Sequence, residues 1–133
     1  MTALRTTLVL VLALLSAAAC GDDDDDGASQ AQRMGVGAPC DTSDDCLPEL
    51  MLECLPFKGG YCGLQGCDGD VDCPAGSACV THDDGENYCF LICSTKPQCN
   101  VTRPPDDEAN CSSNITFTDD HAGGVKACVP PSG

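Results

Sequence analysis

The residues best able to do chemistry in this 133-residue chain are its thirteen cysteines. Twelve of them fall into three sets of four: Cys40, Cys46, Cys54, Cys62; Cys67, Cys73, Cys79, Cys89; and Cys93, Cys99, Cys111, Cys128. Each set opens with C-x5-C, as CDTSDDC, CDGDVDC and CSTKPQC, and the sets begin 27 and then 26 residues apart. The second gap holds seven, five and eleven residues, and the third holds seven, nine and sixteen. A fixed opening with variable later gaps marks a repeated unit whose turns differ in length. Thiols so arranged could bind metal, attack a substrate or pair with one another. Zinc sites favour C-x2-C, whereas the closest spacing here is Cys89-x3-Cys93. A nucleophilic thiol must stay unpaired. An even set of twelve in an exported chain points to disulfides, and the expected metal set is empty.

Carboxylates offer a second chemistry. In DGDVD, Asp68, Asp70 and Asp72 alternate like the start of a calcium loop. The EF-hand template then needs Gly at its sixth position and an acid at its twelfth, where Cys73 and Cys79 stand. Calcium at these three residues is therefore the weaker expectation, and polar residues in a stapled loop the preferred one. His82 and His121 fall in expected loop tips, and no nucleophile motif frames a serine beside them. The chain reads as non-enzymatic. Lys58 in LPFKGGY and Arg103 in VTRPPD are candidate exposed tips of a stapled protease-inhibiting loop. Three N-x-[ST] sequences start at Asn100, Asn110 and Asn114 and would mark surface loops in a eukaryotic protein.

The elements that must hold these residues are short. There is no Trp, and the only aromatics are Phe57, Tyr61, Tyr88, Phe90 and Phe117. So thin a core cannot offset the entropy of ordering the chain, and cross-links worth about 2–4 kcal/mol each must make up the difference. Lys58-Gly59-Gly60 and Asp83-Asp84-Gly85-Glu86 read as hairpin turns, and Pro74 with Gly76 as a tight turn. The third set, with NVTRPPDDEAN and SSNITFTDDHAGG, reads as long polar mobile loops. The expected fold class is small and disulfide-rich: three four-cysteine modules (40–62, 67–89, 93–128) of short β-hairpins and loops, within a domain at 39–129 and a tail at 130–133.

The N-terminus has a different character. Arg5, the apolar run LVLVLALL and then SAAA describe an export signal over residues 1–19, because the twelve-residue stretch 8–19 is too short for a bilayer core of about 30 Å. Net charge is −15, and loss of that segment removes Arg5 and no acid, giving −16. Such a field repels phosphate backbones, so nucleic acid is not an expected partner. Residues 20–38, with Asp22 to Asp26, lack periodicity and read as an extended, self-repelling tether.

The segment AAAC at 17–20 resembles the lipobox of bacterial lipoproteins, with Ala17 standing where that family prefers Leu. The resemblance implies that Cys20 becomes the mature N-terminus and carries acyl chains, which anchor the protein to a membrane. It also explains the odd cysteine: without Cys20, twelve remain to pair. Ordinary cleavage, giving a soluble secreted protein, is the alternative. Gly21 follows the cysteine, so the usual inner-membrane retention aspartate is missing there, and sorting stays open.

Within closed sets of four, three pairings per set remain open. First-to-third with second-to-fourth closes longer loops than first-to-second, which stabilises more in the chain-entropy model. The C-x5-C-turn-C-hairpin-C order resembles the small modules of the dickkopf and colipase type, and more loosely EGF-like modules, although the adjacent cysteine pair common in them is missing. The dickkopf and colipase resemblance implies the interleaved pairing Cys40–Cys54, Cys46–Cys62, Cys67–Cys79, Cys73–Cys89, Cys93–Cys111 and Cys99–Cys128. The functional expectation is a cell-envelope lipoprotein, anchored by lipid outside the cytoplasm, whose stapled domain has a binding or structural role toward a protein or glycan partner. Protease inhibition is the alternative, and an accessory part of a hydrolase the least supported.

Overall fold

A computed structural model describes residues 27–132; the expected export segment, Cys20 and the aspartate run lie outside them. The described elements are α1 (Gln30–Arg33), β1 (Glu53–Leu55), β2 (Tyr61–Gly63), β3 (Ser77–Thr81), β4 (Asn87–Cys93), α2 (Lys96–Cys99), β5 (Asn110–Ser112), β6 (Thr116–Phe117) and β7 (Lys126–Val129). Neither helix exceeds four residues, and among the described residues none is long and apolar enough to cross a membrane. The protein is a small disulfide-rich β fold.

Six disulfides close it: Cys40–Cys54, Cys46–Cys62, Cys67–Cys79, Cys73–Cys89, Cys93–Cys111 and Cys99–Cys128. These are the interleaved pairs that the dickkopf and colipase resemblance implies. One geometry recurs in all three sets. The third and fourth cysteines face each other across an antiparallel pair, as Cys54 with Cys62, Cys79 with Cys89, and Cys111 with Cys128. Each bonds away from its strand neighbour, to a cysteine of the C-x5-C opening, so every strand pair is sewn to its own loop.

The openings are built alike. Each is a single helical turn: 3-10 turns at Ser43–Asp45 and Asp70–Asp72, and α2 in the third. The residue just before the second cysteine folds back on the start of the turn. Asp45 Oδ2 accepts from the Asp41 and Thr42 amides at 3.0 and 2.9 Å. Asp72 Oδ2 accepts from the Asp68 and Gly69 amides at 2.9 and 3.3 Å. Gln98 Oε1 accepts from the Ser94 and Thr95 amides at 2.7 and 3.0 Å. These amides cannot find partners within so short a turn, and the side chain supplies one acceptor for both. Asp72→Ala is expected to lower stability by about 1 kcal/mol, read from the chemical-denaturation midpoint with the bridges intact; Asp72→Asn, which keeps an acceptor oxygen, is expected to lose less.

The three sets are not three separate lobes. β1 and β2 form one hairpin, but the other strands make a single five-stranded antiparallel sheet in the order β5-β7-β4-β3-β6. β4 carries both Cys89 and Cys93, so the second and third sets share a strand. The polar stretches expected to be mobile loops instead supply β5 and β6 at the two edges of the sheet. Two to three residues per strand leave no period to read, and their partners lie far along the chain.

The tether expected over 20–38 also ends early, because its distal part is folded. Ser29 and Gln32 form a reciprocal capping box at the start of α1, with Gln32 N donating to Ser29 Oγ at 3.2 Å and Ser29 N to Gln32 Oε1 at 2.7 Å. Ala31 and Val36 are buried, and Ala31 N donates to Ala75 O at 2.9 Å. Further on, Gly37 N bonds Cys62 O, and Cys62 N bonds Ala38 O, both at 2.9 Å. Gly76 (φ 96°) permits this docking, since a Cβ there would stand 2.3 Å from Ser29 Cβ. No local pattern encodes the docking of this segment onto Ala75, far along the chain.

The core lies where the hairpin meets the sheet. Tyr61, Phe90, Leu52, Leu55 and Val80 are fully buried among the disulfides. Four of the five aromatics converge there, and the T-shaped centroid distances of Phe57 to Tyr61, Tyr88 and Phe90 run from 5.1 to 6.2 Å. Tyr61 fastens the hairpin to the sheet, its hydroxyl accepting from Leu91 N at 3.1 Å, and burial pushes the phenol pKa well above its ordinary value.

Candidate binding cleft

The five-stranded sheet cannot be flat. Its edge strands, β5 and β6, are joined by residues 113–115 alone. Four strand spacings would separate the edges by about 19 Å in a flat sheet. The four Cα steps from Ser112 to Thr116 span at most about 14 Å. The sheet therefore curls toward closure, leaving an unpaired seam between β5 and β6. A cleft of about 380 Å³ opens along that seam.

Every strand of the sheet lines the cleft: Val80 and Thr81 from β3, Phe90 from β4, Asn110 and Ser112 from β5, Thr116 from β6 and Val129 from β7. Asn114 and Ile115 come from the joining loop, and His82 and Asp83 from the β3–β4 turn. The apolar floor is Val80 and Phe90, both fully buried. The walls are amides and hydroxyls.

His82 was expected at an exposed loop tip. Its side chain is instead only 10% exposed, and its ring sits edge-on to Phe57 at 5.1 Å and near Tyr88 and Phe90. Nδ1 lies 3.5 Å from Asp84 Oδ2 and makes no hydrogen bond among the described residues. Asp84 is held from both sides: Tyr88 OH donates to Oδ2 at 2.9 Å, and the Glu86 amide donates to Oδ1 at 3.0 Å. The Glu86 amide bond is the main cause that holds the Asp84 carboxyl below the usual carboxylate range. Burial, aided by Asp84, pushes the Tyr88 phenol up to about 12. A depressed carboxyl pKa stabilises the fold above the unfolded-state value, near 3.9, and that support fades as pH falls through the lower folded-state value. The same sign applies to Asp45, lowered chiefly by its bond from the Thr42 amide. Stability measured from pH 6 downward is therefore expected to fall below about pH 4, and Asp84→Asn is expected to flatten that fall.

The aspartates singled out for calcium do other work. Asp70 Oδ1 accepts from Cys79 N at 2.8 Å, while its Oδ2 stands 3.0 Å from His121 Nε2, an ion-pair distance without hydrogen-bond geometry. Asp70 N in turn donates to Asp119 Oδ2 at 2.7 Å. Asp72 caps its turn, and Asp68 contributes an amide to that cap. This is a capping and clasping arrangement, not the convergent oxygen set of a calcium loop. His121, like His82, is no loop tip: its side chain is 19% exposed and its ring packs edge-on to Phe117 at 4.5 Å. Three groups of clustered cysteine sulfurs, one per set, consist of disulfide sulfurs and offer no thiolate.

Arg103, a proposed inhibitory tip, is corrected outright. It is buried, and its guanidinium donates to four backbone carbonyls: Asp107 at 2.7 Å, Gly60 at 2.8 Å, Lys58 at 2.9 Å and Gly37 at 3.3 Å. Burial holds its pKa below the ordinary arginine value. Lys58 is half-exposed, but its ammonium donates to Asp106 O and pairs with Asp107 at 3.4 Å. Neither side chain stands free to enter a protease pocket. Asn100 is likewise tied down, bonding Lys96 O and Ala109 O and accepting from Ala109 N. Asn110 and Asn114, by contrast, are exposed on the cleft.

His82, Asn110 and Asn114 stand out in the sequence singly, but not as one site, because the cleft lining comes from five strands and two turns. Only the hairpin around Asp83 was legible, and its turn residues pointed to solvent. No family model, no curated protein and no solved structure matches this chain.

Proposed function

We propose that the chain is a lipid-anchored protein of the cell envelope whose stapled domain is a non-enzymatic binding module held outside the cytoplasm. The domain itself is disulfide-stapled throughout, a construction that persists in oxidising, extracellular-type environments. One observation carries the anchor: thirteen cysteines are present and twelve close into six bridges among themselves, which leaves Cys20 without a cysteine partner in its own chain. An odd exported thiol directly after SAAA fits acylation. Two or more acyl chains would hold the protein stably at a membrane. The nine residues from Cys20 to Ser29 set an upper limit of about 32 Å between anchor and folded domain. The cleft along the sheet seam is the feature that suits the domain to binding.

Substitution at Cys20 tests this reading. With the anchor intact, the protein partitions into the detergent phase of a phase-separating detergent. Cys20→Ser is expected to abolish the mature lipidated form, leaving either unprocessed precursor or soluble product. Unchanged processing and unchanged partition of the Cys20→Ser chain would overturn the anchor.

A further inference from the structure

We propose that the cleft between the β5 and β6 edges binds a neutral saccharide of one or two rings, with Asn110, Asn114 and Thr116 reading its hydroxyl groups and His82 closing the inner end. The inference rests on the binding-module reading of the domain and names its ligand class; it is independent of the anchor.

Shape gives the size. A cleft of about 380 Å³ stands at the small end of ligand sites, and its two walls are tied to each other by the short link 113–115. The site is also framed by bridged strands: β5 carries Cys111, β7 Cys128, and β3 and β4 carry Cys79 and Cys89. Such a frame is ordered before a ligand arrives, which lowers the entropy lost on binding.

Charge gives the class. No lysine or arginine lines the cleft, and the only acid there is Asp83. The chain as a whole is strongly acidic, so a phosphate, sulfate or carboxylate ligand would meet repulsion and no counter-charge. What the walls offer is neutral and two-sided: carboxamides at Asn110 and Asn114, hydroxyls at Thr81, Ser112 and Thr116. Each both donates and accepts, as vicinal diols require. Ile115 and Val129 add apolar surface beside the buried floor, suited to the C–H face of a pyranose.

His82 is nine-tenths buried and lines the cleft, and with Nδ1 3.5 Å from Asp84 Oδ2 its ring is a fixed part of the wall. An added peptide strand is a poorer occupant. β5 offers three residues of edge and β6 two, less than strand addition uses.

The test is a ¹H–¹⁵N NMR titration of the exported protein, purified with its bridges intact. The panel is glucose, galactose, mannose and N-acetylglucosamine, with maltose, cellobiose and diacetylchitobiose as two-ring probes. Glucose 6-phosphate and spermidine serve as anionic and cationic comparisons. At least one neutral saccharide is expected to give saturable shifts at the amides of Thr81, His82, Asn110, Ser112 and Thr116, with a Kd on the order of 1 mM. The Asn110→Ala/Asn114→Ala variant is expected to weaken that binding at least about tenfold, with amide dispersion and free-thiol count unchanged. Thr116→Val, at an exposed edge position, serves as a second variant if the first loses its dispersion. Three outcomes overturn the saccharide: no saturable shift from any neutral probe up to about 50 mM, saturable shifts mapping away from the cleft, or unchanged binding in the folded variants. A cleft response to spermidine or glucose 6-phosphate alone also overturns it while keeping a binding module. None of these touches the detergent-partition result, so the two readings fail separately.

Discussion

Full reduction of the six bridges is expected to unfold the domain at 25 °C. The buried apolar set is small and a good part of it is cystine sulfur: nine of its twenty-two buried apolar residues are cysteines, so the core and the cross-links share many atoms. Reduction removes the loop constraint and leaves polar-leaning thiols in its place. Sequence separations across the bridges run from 12 to 29 residues. Loops of that length contribute about 3 kcal/mol each in the chain-entropy account. A folded domain of this size holds only about 5–15 kcal/mol of net stability. The measurement is amide dispersion in a proton NMR spectrum before and after reductant. Collapse of the dispersion is the expected result; native dispersion with all thiols alkylated would contradict it. A single opening is expected to be milder. Cys73→Ser/Cys89→Ser, in the central strand pair, is expected to cost about 3 kcal/mol, read from the denaturation midpoint.

Arg103→Ala carries the largest effect expected of any substitution outside the cysteines. Its guanidinium holds three separated pieces of chain together: the arm at Gly37, the hairpin at Lys58 and Gly60, and its own loop at Asp107. Its ring-face neighbour is Tyr61, with the guanidinium carbon 5.9 Å from the centroid. Truncation leaves carbonyls in a buried site without donors, and hydrogen bonds to a charged group are the stronger kind. A loss of about 3 kcal/mol is expected, measured by denaturation with the bridges intact. Arg103→Lys is expected to recover only part of it, because an ammonium has no planar fork to serve carbonyls on several sides. A loss below about 1 kcal/mol for Arg103→Ala would contradict this role.

Arg103 also shows where sequence reading stopped. In VTRPPD a basic residue beside prolines looks like an exposed tip, and its type gives no sign of burial. What buries it is a ring of carbonyls from residues 37, 58 and 60, and no local pattern encodes that meeting. His82 is a parallel case. Its neighbours Asp83, Asp84 and Gly85 spell a hairpin turn, and the turn is there, since His82 N bonds Glu86 O at 2.9 Å. The ring nevertheless folds back onto Phe57, a residue of another hairpin. The legible features were the local ones. Turn chemistry around Gly59-Gly60 and Gly85 marked both hairpins, and the repeated C-x5-C marked the three openings. The caps at Asp45, Asp72 and Gln98 were also within reach, as an acceptor before each second cysteine. The curled sheet was not: β5 and β6 are too short to show a period, and they matter only because three residues join opposite edges.

The resulting picture joins two ends of one chain. At one end Cys20 is set apart because twelve other cysteines pair among themselves; at the other those twelve hold a curled sheet around a polar cleft that no lysine or arginine lines. The most direct test is the intact mass of the exported protein, taken natively and after reduction. Six bridges predict a gain of two hydrogens each, twelve in all, on a species that begins at Cys20 and carries acyl mass. A different number of hydrogens, or a mature chain whose Cys20 is unmodified, would contradict it.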